Sequence, residues 1–134
     1  MIVVSDTSPI SNLIRVGELD LLRKLFSHVI IPDAVFNEIC RIDENKRVLL
    51  RLEWIETASV QNVSKRNELL AELDLGESEA IALALEIGAE WILIDEIVGR
   101  DIADKMGLRI IGIVGILLES KKRDLIKEIK PILE

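Results

Sequence analysis

Cysteine and histidine are nearly missing. Cys40 has no second cysteine to pair with, and with His28 as the lone histidine the chain is too poor in these ligands for a Cys/His zinc site of its own. Disulfide stapling and cysteine catalysis are therefore not expected. Aromatics make up 3% of the residues and tyrosine is absent, so the core must be aliphatic, built on isoleucine, leucine and valine. No stretch approaches the roughly 20 apolar residues of a membrane span. The opening Met1-Ile2-Val3-Val4-Ser5-Asp6 lacks a basic leader and brings in an acid too early for a secretory signal. These absences lead to the expectation of a cytoplasmic protein with no membrane partner.

Positive charge is also in short supply. Seventeen Lys and Arg against 24 Asp and Glu leave a net charge of −7, which argues against broad affinity for phosphate backbones. It does not exclude a nuclease, because carboxylates that hold a divalent ion are offset by that ion once it binds. What is plentiful is apolar: 49% hydrophobic and 31% charged residues over a length of 134 are the proportions of one folded domain, expected to span residues 1–134.

Short apolar runs alternate with helical patterns along the chain. Ile2-Val3-Val4 is a strand that stops at Ser5-Asp6-Thr7-Ser8-Pro9, a set of capping and turn residues that opens a helix. The stretch from Ile10 to Phe26 reads as two short helices broken at Gly17, and Val29-Ile30-Ile31 as a second strand. Pro32-Asp33 opens a helix with Val35, Phe36, Ile39 and Ile42 on one side. Residues 41 to 75 carry the weakest pattern: a charged helix around Asn45 to Leu52, an edge strand within Trp54 to Val60, and a helix from about Ser64 to Leu73. Ser78 to Ile87 is a nearly wholly apolar helix ended by Gly88. Trp91 to Ile94 is a strand ending in Asp95, Val98 to Met106 a helix closed by Gly107, Arg109 to Val114 a strand, Gly115 to Lys122 a helix, and Asp124 to Leu133 a helix or partial helix. Continuous apolar strands alternating with helices predict a central parallel sheet covered on both faces, a three-layer α/β/α sandwich.

In open parallel sheets ligands bind beyond the carboxyl ends of the strands, and Asp6 and Asp95 each stand directly after one. If those strands are neighbours, the two acids converge on a space that a hard, oxygen-preferring cation suits. Glu38 lies in the helix after the second strand and Glu77 directly after Gly76, at the start of the core helix. Each acid has a plainer alternative, since Asp and Glu at helix starts cap free amides and stabilise the positive end of the dipole.

Taken in order, these segments resemble the PIN-domain family over nearly the whole chain. Val3-Val4-Ser5-Asp6-Thr7-Ser8-Pro9 resembles its first motif, Ile31 to Ile39 the second, Gly76 to Ala84 the third and Leu93-Ile94-Asp95-Glu96 the fourth. Gly99-Arg100, Ala103, Gly107-Leu108 and Ile111-Gly112 resemble the tail of one prokaryotic branch, that of VapC-type toxin ribonucleases. The resemblance implies an acidic site of Asp6, Glu38, Glu77 and Asp95 holding Mg²⁺ or Mn²⁺, supported by hydrogen bonds from Thr7 and Ser8. It implies hydrolysis of RNA phosphodiester bonds, a homodimer, and inhibition by a small antitoxin protein. The third motif carries Glu77 where many members have Asp, and Glu79, two residues on, faces another side of the helix. The chain also ends soon after Pro131, where many members of the branch continue in helix, so a shortened assembly element is expected.

Other residues fit the same frame less specifically. Arg100 is the candidate phosphate contact because it follows the Asp95 loop; Lys46, Arg47, Arg51, Lys65-Arg66 and Lys121-Lys122-Arg123 read equally well as solvated faces. Trp54 suits either base stacking or core packing, whereas Trp91 starts a core strand and is expected to pack there. Apolar surface between Leu13 and Phe26 or within residues 41–60 could pair two subunits or receive an antitoxin segment. Two rival readings remain at this point. One is a noncatalytic PIN-like binding module. The other is a receiver- or phosphatase-like domain, against which stand Ser8 where a dehalogenase-type phosphatase needs its second acid, and the absence of a suitable lysine after a late strand.

Overall fold

A computed structural model describes residues 1–126. The chain forms β1 (Val3–Ser5), α1 (Thr7–Arg15), α2 (Asp20–Phe26), β2 (Val29–Pro32), α3 (Asp33–Ile39), α4 (Asp43–Leu50), β3 (Ile55–Ala58), α5 (Val63–Leu69), α6 (Leu75–Ile87), β4 (Trp91–Leu93), α7 (Ile97–Lys105), β5 (Ile110–Ile111) and α8 (Ile113–Lys122). All strand pairs are parallel, in the order β3-β2-β1-β4-β5. The apolar runs are buried on both sides because successive side chains point to opposite faces. Val3, Val29, Ile31 and Leu93 pack under the layer that includes α1, α2, α4 and α8. Val4, Ile92 and Ile94 pack under α5, α6 and α7. The result is the three-layer sandwich.

Several boundaries differ from the sequence pattern for local reasons. The helix expected from Ser78 starts at Leu75, because the Asp74 side chain accepts from the Glu77 amide and caps it. The helix opened by Pro32 stops at Ile39. Tight i to i−3 bonds at Arg41 and Ile42 close its last turn, and Ile42 is 57% exposed instead of packed. The strand expected over Arg109 to Val114 is only Ile110–Ile111; Gly112 turns the chain and α8 begins two residues early. Within the expected Asp124 to Leu133 helix, the part beyond Ile126 lies outside the described residues. Among those described, no helix is long and apolar enough to cross a membrane.

Both tryptophans are partly buried at the edge of the core. Trp54 and Trp91 pack against the first apolar cluster, and the Arg109 guanidinium lies 4.2 Å from the Trp91 ring centre. Leu22, fully buried on α2, a helix that contributes none of the four candidate acids, reports on core stability. Leu22→Ala is expected to cost about 2–5 kcal/mol in urea unfolding; a loss below about 1 kcal/mol would show that α2 is not packed as described.

Candidate metal centre

Strand order reverses beside β1, which has β2 on one side and β4 on the other. Such a switch point opens a crevice at the carboxyl ends of the strands. Ser5 is in register with Leu93, the Asp6 amide donates to the Leu93 carbonyl at 2.9 Å, and Asp95 follows two residues after β4 ends. The two aspartates therefore leave adjacent strands at the crevice. Asp6 is 5% exposed, and burial pushes its carboxyl up to about 7. The Thr7 amide partly offsets this, while Asp74, Glu38 and Asp95 add to it.

Glu38 reaches the crevice from α3, which packs against both α1 and α6. Its Oε2 accepts from Thr7 Oγ1 at 2.6 Å. Its carboxylate fills the space beside Gly76, where a Cβ would stand 2.6 Å from Oε1. Glu77 comes from the first turn of α6. Its carboxyl is raised to about 8 by burial, by the hydrogen-bonding Asp74 side chain, and by the charges of Asp74, Asp6 and Glu96. Glu77 Oε2 also lies against Gly99, 3.1 Å from where a Cβ would be. Thus two helices and two strands bring Asp6, Glu38, Glu77 and Asp95 to one end of the sheet.

Asp95 has one oxygen committed to a distant backbone amide and the other left over. Oδ1 accepts from the Ile113 amide at 2.7 Å, at the start of α8, while Oδ2 is buried and has no partner among the described residues. Gly112 makes this approach possible: a Cβ there would sit 2.7 Å from Asp95 Oδ1 and 3.2 Å from Arg100 Nη1. The half-buried Arg100 thus stands close to Asp95, at the rim of the acidic crevice. Ser8 is exposed and makes no side-chain hydrogen bond among the described residues, so Thr7 is the hydroxyl that meets the cluster.

Two acids that the sequence reading did not place in the cluster belong to its electrostatics. Asp74 raises both Asp6 and Glu77. Asp74-Leu75-Gly76-Glu77 just before an apolar helix is the signal that could have found it, an acid three residues ahead of a Glu in the first turn. Glu96 caps α7 through the Gly99 amide at 2.8 Å and is held below its ordinary range by the Gly99 and Val98 amides. Glu79, by contrast, is not in the crevice cluster: its oxygens go to the Ala34 amide and Arg66. His28 pairs with Glu56 on the surface at 2.9 Å.

Among the described residues, no three acidic, histidine or cysteine side chains are gathered at the spacing needed to hold an ion as they stand. The donor set nevertheless fits a hard divalent cation. It is all oxygen, it includes the orphaned Asp95 Oδ2, and two of its carboxyls are forced towards the neutral form.

The likenesses to other proteins agree with this fold. The chain is similar in structure to a PilT N-terminus domain protein from the hyperthermophilic archaeon Sulfolobus solfataricus P2. Identity is 19%, the TM-score is 0.69, and the match covers 90% of this chain and 93% of that one. No curated protein matches the sequence. Residues 2–134 match a family described as PIN domain. The chain belongs to the PIN-domain family.

Proposed function

We propose that this protein is a metal-dependent endoribonuclease whose site is Asp6, Glu38, Glu77 and Asp95. PIN domains are generally nucleases that use divalent metals, which supports the class of reaction. The observation that carries the assignment to these residues is the meeting of Asp6 and Asp95 at the switch point beside β1, with Glu38 and Glu77 turned towards the same crevice. Asp6 and Asp95, with its free Oδ2, are the direct ligands in this reading. Glu38 and Glu77 bind through water or orient the nucleophile, and Thr7 holds Glu38. Mg²⁺ or Mn²⁺ held there would supply an activated water and stabilise charge at the leaving oxygen. Arg100, at the rim, receives a phosphate of the RNA backbone.

The cellular role proposed is the toxin of a VapC-type toxin–antitoxin pair, acting as a cytoplasmic homodimer restrained by a small antitoxin. The groove between α1 and α4, lined in part by Ile14, Arg15, Ile42 and Val48, is an apolar surface with charged edges that an antitoxin segment would suit. A mixed panel of structured and single-stranded RNAs, incubated with Mg²⁺, Mn²⁺ or EDTA, tests the chemistry. Cuts are expected only with metal, and weakened by about two orders of magnitude or more in Asp95→Asn. A folded, antitoxin-free protein that cuts nothing with either ion would favour a noncatalytic RNA- or partner-binding module.

A further inference from the structure

Besides Asp6, Glu79 is the buried carboxylate among the described residues, 7% exposed, and the proposed chemistry does not use it. It stands two residues after Glu77 on α6, so the two side chains leave different sides of the helix. Its Oε1 accepts from the backbone amide of Ala34 at 2.9 Å, and its Oε2 faces Arg66 Nη1 at 3.4 Å. Ala34 lies in the first turn of α3, where amides lack partners within the helix, and Pro32 at the cap position has no side-chain group to offer. The missing cap comes instead from another helix.

We infer that Glu79 is a positioning residue for Glu38. Tied to the Ala34 amide, it fixes how far α3 lies along α6. Glu38 follows Ala34 by four residues, one turn or about 6 Å along the same helix. The tie therefore decides where the Glu38 carboxylate arrives against Gly76 and Thr7 Oγ1. Through Glu77 and Glu79 the single helix α6 sets two site carboxylates at once, one directly and one through α3. Arg66 is then the counter-charge of this tie, with Asn67 Oδ1 accepting from its Nε and Nη2, and is not an RNA contact. A displacement of about 1 Å at a reacting group can cost a hundredfold in rate, so a loosened α3 is felt at the site.

This inference rests on the proposed site, and the test separates the two. Mn²⁺ binding is measured by the electron paramagnetic resonance of free Mn²⁺, beside kcat and KM for RNA cleavage and the melting temperature. Glu79→Leu is expected to lose about tenfold in Mn²⁺ affinity, with kcat falling more than KM changes, as for other supporting groups around metal ligands. Glu79→Gln keeps an oxygen for the Ala34 amide and should bind Mn²⁺ within about threefold of wild type, whatever its melting temperature. Leu22→Ala, destabilised from a site on α2, should melt lower and bind Mn²⁺ normally. Where the leucine variant does not fold, Glu79→Asp, which keeps the charge but shortens the reach, should show the same loss. Wild-type Mn²⁺ affinity in both Glu79→Leu and Glu79→Asp would overturn the inference and leave the site intact, as would equal damage in Glu79→Gln and Glu79→Leu. A wild type that binds no Mn²⁺ would remove the site reading and this one with it.

Discussion

Asp6→Asn is expected to make the metal-free protein more stable at pH 8 while abolishing its cleavage of RNA. The carboxyl of Asp6 is raised from 3.8 to about 7, chiefly by burial. Below about pH 4 it is protonated in both the folded and unfolded chain, so it contributes no slope. Between about 4 and 7 it is protonated only when folded; unfolding releases a proton, and stability falls as pH rises. Above about 7 it is ionised in both states, and the full penalty, roughly 4 kcal/mol at most, is present. Glu77, raised to about 8, adds a slope of the same sign and extends it past neutrality. Asparagine carries no charge to desolvate, so the variant should gain roughly 1–3 kcal/mol at pH 8 and little at pH 4. Mg²⁺ or Mn²⁺ should reverse the ranking by stabilising the wild type alone. Thermal melts at pH 4, 6 and 8, with EDTA or Mn²⁺, decide the matter. A variant that melts at or below wild type in EDTA at pH 8 would mean that the Asp6 charge is already compensated within the fold.

Such a gain would identify Asp6 as a residue kept at a cost to the fold. The same tension explains which parts of the molecule were legible in the sequence. Strands such as β1 and β4 are read easily because both faces of each are buried, so Val3-Val4 and Ile92-Leu93-Ile94 stand out as apolar runs with an acid just beyond them. The edge strand Ile55–Ala58 has no fully buried residue and carries Glu56 and Thr57 outwards, so its pattern is weak even though its place at the sheet edge was expected. The early start of α8 was hidden for another reason. It depends on Asp95, 18 residues before the Ile113 amide that it caps, and no local pattern encodes a cap from so far away.

The candidate site divides along the same line. Asp6 and Asp95 are legible because strand ends mark themselves. Glu38 and Glu77 needed the resemblance to a family, since a Glu on a helix after a strand is usually solvated. The two glutamates of α6 differ in direction: Glu77 feels the charges of Asp74 and Asp6, whereas Glu79 is spent on α3. Asp74 escaped because its exposed side chain looks like an ordinary helix cap, which it also is. A capping acid and a site acid are the same residue type in the same place, and only the neighbouring charges distinguish them.

Gly76→Ala should separate stability from function in the opposite sense to Asp6→Asn, leaving the fold sound and the site broken. Gly76 is the second residue of α6 and does not have a positive φ, so its backbone accepts alanine. The three nearest atoms that a Cβ would meet all belong to the Glu38 carboxylate: Oε1 at 2.6 Å, Cδ at 3.0 Å and Oε2 at 3.1 Å. That group is the far end of a flexible side chain, so it gives way rather than the backbone. Its departure breaks the bond from Thr7 Oγ1, worth about 1–2 kcal/mol, while alanine returns up to about 1 kcal/mol of helix preference. Net stability should stay within about 1 kcal/mol of wild type. Cleavage should fall by tenfold or more, because Glu38 no longer faces the crevice. The shorter acid in Gly76→Ala with Glu38→Asp frees room beside the new methyl and should recover part of the loss. Urea unfolding alongside single-turnover cleavage measures both halves. Full activity in a stable Gly76→Ala would mean that Glu38 does its work from somewhere other than the space beside Gly76, and would leave Asp6, Glu77 and Asp95 to hold the ion without it.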